Sequence, residues 1–413
     1  MYGGVSATRE WWIMSKLPSY SQALDTALSV IQQVSVIETV PIESAMGRYL
    51  ASDIVADRDL PPFNRSQMDG FAVVASEVVE GVSMNVLGNV AAGTTYDGEC
   101  QPITCVAIAT GAPVPDCFDA VIQHELTHQE NGVVTFHCGG VSKGKSIHPQ
   151  GVDAKEGEVL VSKQATLSPQ HIGIAASVGY ADIKVFTKPR VVVISSGDEV
   201  VSPSMHPLPH QIRNGNNPMV GAALSSMGGD VVEALHVLDD QDATNRAIEE
   251  ALDGRYDLVV TIGGISAGKR DFFPEVFEKM GVELVVKGAN IQPGKPVIVG
   301  KHENAIVLGL PGNPVSALAC CCIFGWPMAR RMLGCSATIP WQTAPLATAV
   351  KPNQRRTAFR PCQLADGKVN IPQWQGSGDL SHTATTHGLA QLPPFEGELE
   401  IGTLVTCLEY PWC

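Results

Sequence analysis

The sequence predicts an α/β multidomain protein: a central three-layer α/β domain, an all-β insert, a base domain of helix and strand, and a small C-terminal β-barrel. The chain has 413 residues, too many for one compact core at typical domain sizes of roughly 100 to 200 residues. Three short runs rich in Val and Ile (257–262, 296–300 and 305–310) have the length and composition of buried parallel strands, each expected to be closed by a glycine-bearing turn so that their carboxyl ends converge on one edge. From Leu60 to about Gly157 the composition shifts to short β runs broken by glycine.

In chain order, residues 1–13 are read as a disordered extension. Arg9 and Glu10 stand beside Trp11 and Trp12, and no continuous apolar core of signal-peptide length is present. Met14 is a second candidate start. The base domain spans 14–59 and 152–189. Its first helix is expected over 21–34, with Ala23, Leu24, Ala27, Leu28 and Ile31 as an apolar stripe that reads as packing face, and a second helical segment over 164–177. The all-β insert spans 60–151, with strands expected at 70–74, 83–90, 107–109, 119–123 and 132–138. The α/β domain covers 190–334 and begins with the run Arg190 to Ile194. Strand-like pieces with Pro and Gly over 335–413 read as a small barrel, with a sandwich as the alternative.

Composition narrows the partners. A hydrophobic content of 44% suits a globular chain with ample core, and a formal net charge of -14 argues against nucleic acid or an anionic membrane. An anionic ligand must then be held by local donors. The 11 cysteines include no CxxC pair and no spaced His/Cys set, so free thiols in a reducing cytoplasm are the simplest reading. No segment has the roughly 18 unbroken apolar residues of a membrane span.

The turns beside the three strand runs are Gly263-Gly264-Ile265-Ser266-Ala267-Gly268, Pro293-Gly294-Lys295-Pro296 and Pro311-Gly312-Asn313-Pro314. In an open α/β sheet, ligands bind at the edge where strand carboxyl ends converge, and glycine there lets backbone approach an oxyanion. The stretch Val315 to Phe324 reads as a helix whose amino end points N–H groups at that rim. Any one of these turns alone reads more readily as an ordinary βα loop; three together, with Lys295 in one, point to a phosphate or oxyanion site.

Carboxylates gather at element ends. Asp69 stands between a stiff Pro61-Pro62 entry and Gly70. Asp198 and Glu199 follow the run Val191 to Ser195, Asp271 follows the Gly263-Gly264 loop, and Asp239 and Asp240 follow the run Ala234 to Leu238. Hard oxygen ligands near a phosphate site suit Mg²⁺, which takes one or two carboxylates plus substrate phosphate. Asp198 and Asp271 could instead cap helices, and for Asp239 and Asp240 capping and chemistry weigh equally.

Seven ordered blocks then resemble the molybdopterin molybdenumtransferase family, the molybdenum insertases that include bacterial MoeA and the E domain of gephyrin. The blocks are Pro61-Pro62-Phe63 with Ser66 and Met68-Asp69-Gly70-Phe71-Ala72; Ala91-Ala92-Gly93; Thr110-Gly111-Ala112-Pro113-Val114-Pro115 with Asp119-Ala120-Val121-Ile122; Ser196-Gly197-Asp198-Glu199; Gly263-Gly264-Ile265-Ser266; Pro293-Gly294-Lys295-Pro296; and Leu310-Pro311-Gly312-Asn313-Pro314. The resemblance covers nearly the whole chain from Met14. It implies that 190–334 binds molybdopterin and that adenylylated molybdopterin and molybdate yield molybdenum cofactor and AMP with Mg²⁺.

By the same resemblance, Asp69, Glu199 and Asp271 stand near metal and pyrophosphate as catalytic residues and metal ligands. Gly263, Gly264, Ser266, Pro311 and Gly312 would line the pterin site, and Gln292, Lys295, Arg356 and Ser377 the place of molybdate. It also implies a cytoplasmic, elongated homodimer whose insert contributes Asp69 and Thr110 across the interface, served by an adenylyltransferase that donates the pterin. The chain departs from the family pattern in four places. Gln292 stands where a lysine is usual, Lys269 and Arg270 follow Gly268 where many members carry an acid, Asn64-Arg65 replaces Asp-Asn, and His148 replaces an arginine. A non-catalytic pterin-binding or scaffold protein is the alternative reading. An unrelated nucleotide-binding enzyme would need a GxGxxG or GxxxxGK[ST] fingerprint in a strand-to-helix turn, and neither stands in one.

Overall fold

The computed structural model describes residues 17–34, 36–266, 271–373 and 375–413. The expected extension 1–13, Met14, and the substituted Lys269 and Arg270 lie outside the described residues. The chain forms two compact units. One comprises the described residues up to Glu38 with 47–49 and 185–413; the other comprises 39–46 and 50–184.

The larger unit begins with helix α1 (Tyr20–Ser29). The Ser19 hydroxyl accepts from Gln22 N at 3.3 Å and Gln22 Oε1 accepts from Ser19 N at 3.0 Å, a reciprocal capping box. The helix ends short of the expected Val34 because Val34 N donates to Met332 O at 2.6 Å, a tertiary bond that draws the segment out of helical path.

In the smaller unit, strands β1 (Gly70–Val73), β2 (Ser83–Val90), β3 (Thr104–Ile108), β4 (Ala120–Gln123), β5 (Thr127–Glu130) and β6 (Val133–Phe136) form one sheet in the order β4-β1-β3-β2-β6-β5. Alternation buries both faces: Phe71 and Val73 join Ile122 and Phe136 on one side, and Ala72 joins Val106 and Val121 on the other. The five expected strands are present. The sixth, β5, reads Thr-His-Gln-Glu and is a polar edge strand without the apolar alternation that would reveal it. Helix α2 (Pro169–Ser177) follows.

The α/β part of the larger unit contains β7 (Arg190–Ser196), α3 (Asn216–Ser226), β8 (Asp230–Val237), α4 (Gln241–Ala251), β9 (Leu258–Ile262), α5 (Phe273–Lys279), β10 (Glu283–Lys287), β11 (Ile298–Lys301), β12 (Ile306–Leu310) and α6 (Pro314–Cys320). A π-helical turn (Cys321–Gly325) joins α6 to α7 (Trp326–Met332). The sheet order is β8-β7-β9-β12-β11-β10. Val191 and Val193 pack with α1, α3 and the 314–332 helices, whereas Val192 and Ile194 pack with α4 and α5. Both faces are covered, which is why these strands read as unbroken Val/Ile runs rather than as alternation.

One sequence expectation is corrected here. β9 and β12 are parallel, as expected, but β11 runs antiparallel to β12. Only four residues separate β11 from β12, and His302 N donates to Ala305 O at 2.9 Å across that turn. A parallel crossover needs a dozen residues or more, so these strands must form a hairpin. The start of β11, not its end, therefore lies beside the end of β12, and the Pro293–Pro296 turn reaches the same sheet edge from the opposite direction.

The C-terminal sheet holds β13 (Gln342–Pro345), β14 (Thr357–Ala365), β15 (Gly388–Leu392) and β16 (Leu404–Glu409), ordered β14-β15-β16-β13, with Ile291–Gln292 pairing in parallel on the outer side of β14. The short strand Lys368–Asn370 folds back on β14, and Val369 O accepts from Ala347 N at 2.8 Å just beyond β13. This link curls the sheet toward a barrel. The free-thiol expectation is also corrected: Cys100 and Cys117 are disulfide-bonded, their Cα atoms 6.3 Å apart, while the other nine cysteines are free. The pair is 17 residues apart in sequence and carries no spacing signature. Among the described residues, no helix is long and apolar enough to cross a membrane.

Candidate active site

The sheet edge where β7, β9 and β12 end carries a cleft of about 610 Å³, lined by Glu199, Asp239, Gly263, Gly264, Ser266, Asp271, Pro311 and Gly312 among others. Most follow a strand end directly, and Asp271 stands just ahead of α5. Gly264 has φ +59°, and a Cβ there would lie 2.8 Å from the Phe273 ring and 2.9 Å from Ser196 Oγ, so only glycine fits between the β7 and β9 turns. Asn216, at the start of α3, donates through Nδ2 to Gly312 O at 2.7 Å and ties the third turn to the wall.

The structure separates the acidic residues that sequence left ambiguous. Asp240 caps α4, accepting from Ala243 N at 2.8 Å, whereas Asp239 lines the cleft. Asp198 Oδ1 accepts from Asp239 N at 3.1 Å and joins the two acidic loops. The N-cap position of α5 is Phe272, not Asp271.

A second cavity of about 420 Å³ adjoins the first and shares Pro296, Pro311 and Asn313 with it. Its lining gathers Gln292, Lys295, Arg356 and Ser377, all four residues expected to meet the oxyanion. They meet because Ile291–Gln292 leaves the α/β sheet to pair with Thr357–Ala358, which sets the Pro293–Pro296 turn beside Arg356. Asn313 Nδ2 donates to Ser377 Oγ at 2.9 Å, and Val315 N donates to Ser377 O at 3.1 Å. One N–H at the amino end of α6 is thus already committed to protein, contrary to the expectation that these groups point freely at a ligand.

Asp69 and Thr110 lie together in the smaller unit. Asp69 Oδ1 accepts from Thr110 N at 2.7 Å, and Ser66, 1% exposed, donates to Met68 O at 2.7 Å to hold the turn. The bond from Thr110 N, with one from its side chain, holds the Asp69 carboxyl below the ordinary carboxylate value. On the same unit His148 pairs with Asp153 at 2.9 Å and approaches Gln67 Nε2 at 3.4 Å. Among the described residues no three His, Cys, Asp or Glu side chains form a ready-made metal cage. The carboxylates of one cleft still suit Mg²⁺, which keeps waters and shares phosphate oxygens rather than demanding an all-protein shell.

Sequence reading missed Asn214, Asn216 and His236. The cluster Asn214-Gly215-Asn216-Asn217 ahead of an apolar helical run was a capping signal that pointed to two of them.

Family models match in order along the chain: "MoeA N-terminal region (domain I and II)" over residues 18–179, "Probable molybdopterin binding domain" over 192–331, and "MoeA C-terminal region (domain IV)" over 343–410. The molybdopterin molybdenumtransferase of Synechocystis sp. is 32% identical over 88% of this chain and 93% of its own length, and that of Synechococcus elongatus 32% identical over 94% and 98%. Two crystal structures of the molybdopterin biosynthesis protein MoeA from Pyrococcus horikoshii superpose with TM-scores of 0.80 and 0.82, at 31% and 26% identity, covering 96% of this chain and 99% and 100% of theirs. The chain belongs to the molybdopterin molybdenumtransferase family, enzymes of molybdenum cofactor biosynthesis.

Proposed function

We propose that the protein inserts molybdate into adenylylated molybdopterin and releases AMP. The observation that carries this reading is the pair of adjoining cavities. One is walled by glycine turns and carboxylates, the other by Lys295, Arg356, Ser377 and Gln292, and they share Pro296, Pro311 and Asn313. A pterin in the first would present its dithiolene sulfurs to a tetrahedral dianion in the second, where Mo–S bonds replace Mo–O bonds and oxide leaves as water, while water cleaves the phosphoanhydride and AMP departs. Lys295 and Arg356 supply the positive charge that molybdate needs in a chain of net charge -14, and Ser377 supplies a hydroxyl. Fixed donors of this kind stabilise charge that develops on oxygen as the adenylyl bond breaks.

Glu199 and Asp271, with Asp69, are the residues we assign to Mg²⁺ and to catalysis. When bound, the ion would neutralise phosphate charge. The glycines 263, 264 and 312, with Ser266 and Pro311, line the pterin. The active form we propose is a homodimer in which Asp69 and Thr110 of one copy serve the cleft of the other, placed in the cytoplasm. An adenylyltransferase supplies the pterin. The test is to incubate the purified protein with adenylylated molybdopterin, Mg²⁺ and molybdate and assay the pterin for bound molybdenum. Molybdenum-loaded pterin is expected; pterin recovered adenylylated and metal-free would overturn the reading.

A further inference from the structure

We infer that His236 is a positioning residue for the Glu199 turn and that it acts as the neutral tautomer protonated on Nε2. The inference rests on the insertase reading for its effect on rate, but the hydrogen-bond chain behind it does not.

His236 lies on the edge strand β8, opposite Ser195 of β7. Its Nδ1 is 2.9 Å from Ser195 Oγ and its Nε2 3.0 Å from Gly197 O. Asn214 Nδ2 is 2.9 Å from the same Ser195 oxygen, and Asn214 Oδ1 is 3.1 Å from Asn217 N. Both ends of this chain have a fixed sense. The Asn217 N–H can only donate, so it holds the Asn214 amide with its oxygen toward Asn217 and its NH₂ toward Ser195. The Gly197 carbonyl can only accept, so the ring nitrogen facing it carries hydrogen.

Between these ends only the Ser195 hydroxyl can turn. It accepts from Asn214, and its own hydrogen has two acceptors in reach: His236 Nδ1 at 2.9 Å and Leu235 O at 3.5 Å. The shorter bond needs a lone pair on Nδ1, which the Nε2–H tautomer provides. A cationic ring would put two donors on Ser195 and leave its hydroxyl only the longer contact. Donation thus runs from Asn217 through Asn214, Ser195 and His236 to Gly197.

The end point is the turn that carries Glu199. Gly197 has φ +144°, and a Cβ there would lie 3.1 Å from Glu199 Oε2, so the Glu199 side chain folds back over this glycine. Fixing the Gly197 carbonyl fixes the backbone from which Glu199 reaches the cleft. Ser195, Gly197, Glu199 and Asn214 line that cleft and His236 does not, so His236 works through the turn and touches no substrate. It also stands outside the cavity of Lys295, Arg356 and Ser377, so its loss should change turnover and leave molybdate affinity alone.

The experiment has two arms. Nitrogen-15 chemical shifts of the His236 ring should show a protonated Nε2 and a bare Nδ1; a ring protonated on Nδ1 overturns the inference whatever the protein catalyses. In the second arm AMP release is measured for wild type, His236→Gln and His236→Asn at varied molybdate. Gln can place an NH₂ near the position of Nε2 and should keep the rate within about threefold, whereas Asn reaches only as far as Nδ1 and should lose about tenfold or more in kcat, by analogy with a misplaced catalytic group, with the molybdate KM within about twofold. Equal losses in both variants, or none in His236→Asn, overturn the inference while the insertase reading stands. A wild type that releases no AMP overturns that reading itself, and the ring shifts then decide the tautomer alone.

Discussion

The sulfur of Cys320 occupies the space that a side chain on Gly294 would need: a Cβ on Gly294 would lie 2.1 Å from Cys320 Sγ, and Gly294 has φ +101°. The turn bearing Lys295 is therefore seated on the buried face of α6, and the thiol also contacts Gly294 O at 3.8 Å. Gly294→Ala should cost about 1–3 kcal/mol through overpacking and weaken molybdate binding. Cys320→Ala added to it should recover part of the loss, because the left-handed backbone remains strained while the collision is relieved. Unfolding midpoints and equilibrium dialysis with molybdate check this; a double variant no better than Gly294→Ala alone would contradict the packing account.

Gln292 is half-buried in the cavity that holds Lys295 and Arg356. Charge-assisted hydrogen bonds are roughly twice as strong as neutral ones, so Gln292→Lys should tighten molybdate binding, and the gain should shrink with added salt. Equilibrium dialysis at two ionic strengths measures it. Unchanged affinity would remove Gln292 from the oxyanion site.

Asp69 makes a pH prediction with a definite sign. Its carboxyl titrates below the ordinary value of 3.8 because the charged form accepts the Thr110 N–H. A carboxylate lowered on folding adds stability that is fully present above the unfolded value and is lost as pH falls through the folded one. Wild type should accordingly be more stable than Asp69→Asn by a constant margin at neutral and mildly acidic pH, and the margin should begin to shrink near pH 3.8 and continue to fall as pH drops through the lower folded-state value. Denaturant unfolding across that range provides the readout. A margin that grew toward acid would reverse the sign.

Asp239 and Asp240 should part company despite being adjacent. Asp240→Ala removes the cap of α4 and should lower stability by about 1 kcal/mol with little change in AMP release. Asp239→Ala removes a cleft carboxylate and should act on the rate. Paired unfolding and activity measurements on both variants separate the roles, and the opposite pattern would exchange them.

Much of the fold was legible because periodicity and turn chemistry agreed. The Val/Ile runs of β7, β9 and β12 needed no tertiary knowledge, and Gly264 and Gly294 marked the close approaches. The hidden parts depend on what meets in space. The antiparallel course of β11 was encoded in the shortness of the 302–305 link, but strand composition alone suggested a parallel neighbour. The Cys100–Cys117 bond joins two loops with no spacing signature, and the end of α1 is set by Val34 bonding to Met332 far along the chain. In the site, the glycine turns stood in motifs and Asn214 in a capping cluster, whereas His236 acts through hydrogen bonds between separate elements and leaves no local pattern. Asp239 and Asp240 could be told apart only by which one reached Ala243 N.

Molybdate dependence of AMP release tests the central claim most directly, because it asks whether the two adjoining cavities act as one site. Purified protein is given adenylylated molybdopterin and Mg²⁺, and AMP is followed with and without molybdate. Release that rises with molybdate and saturates is the predicted result, with Lys295→Ala shifting the dependence to higher molybdate. Release at the same rate without molybdate, or none while the pterin is bound, would contradict the account.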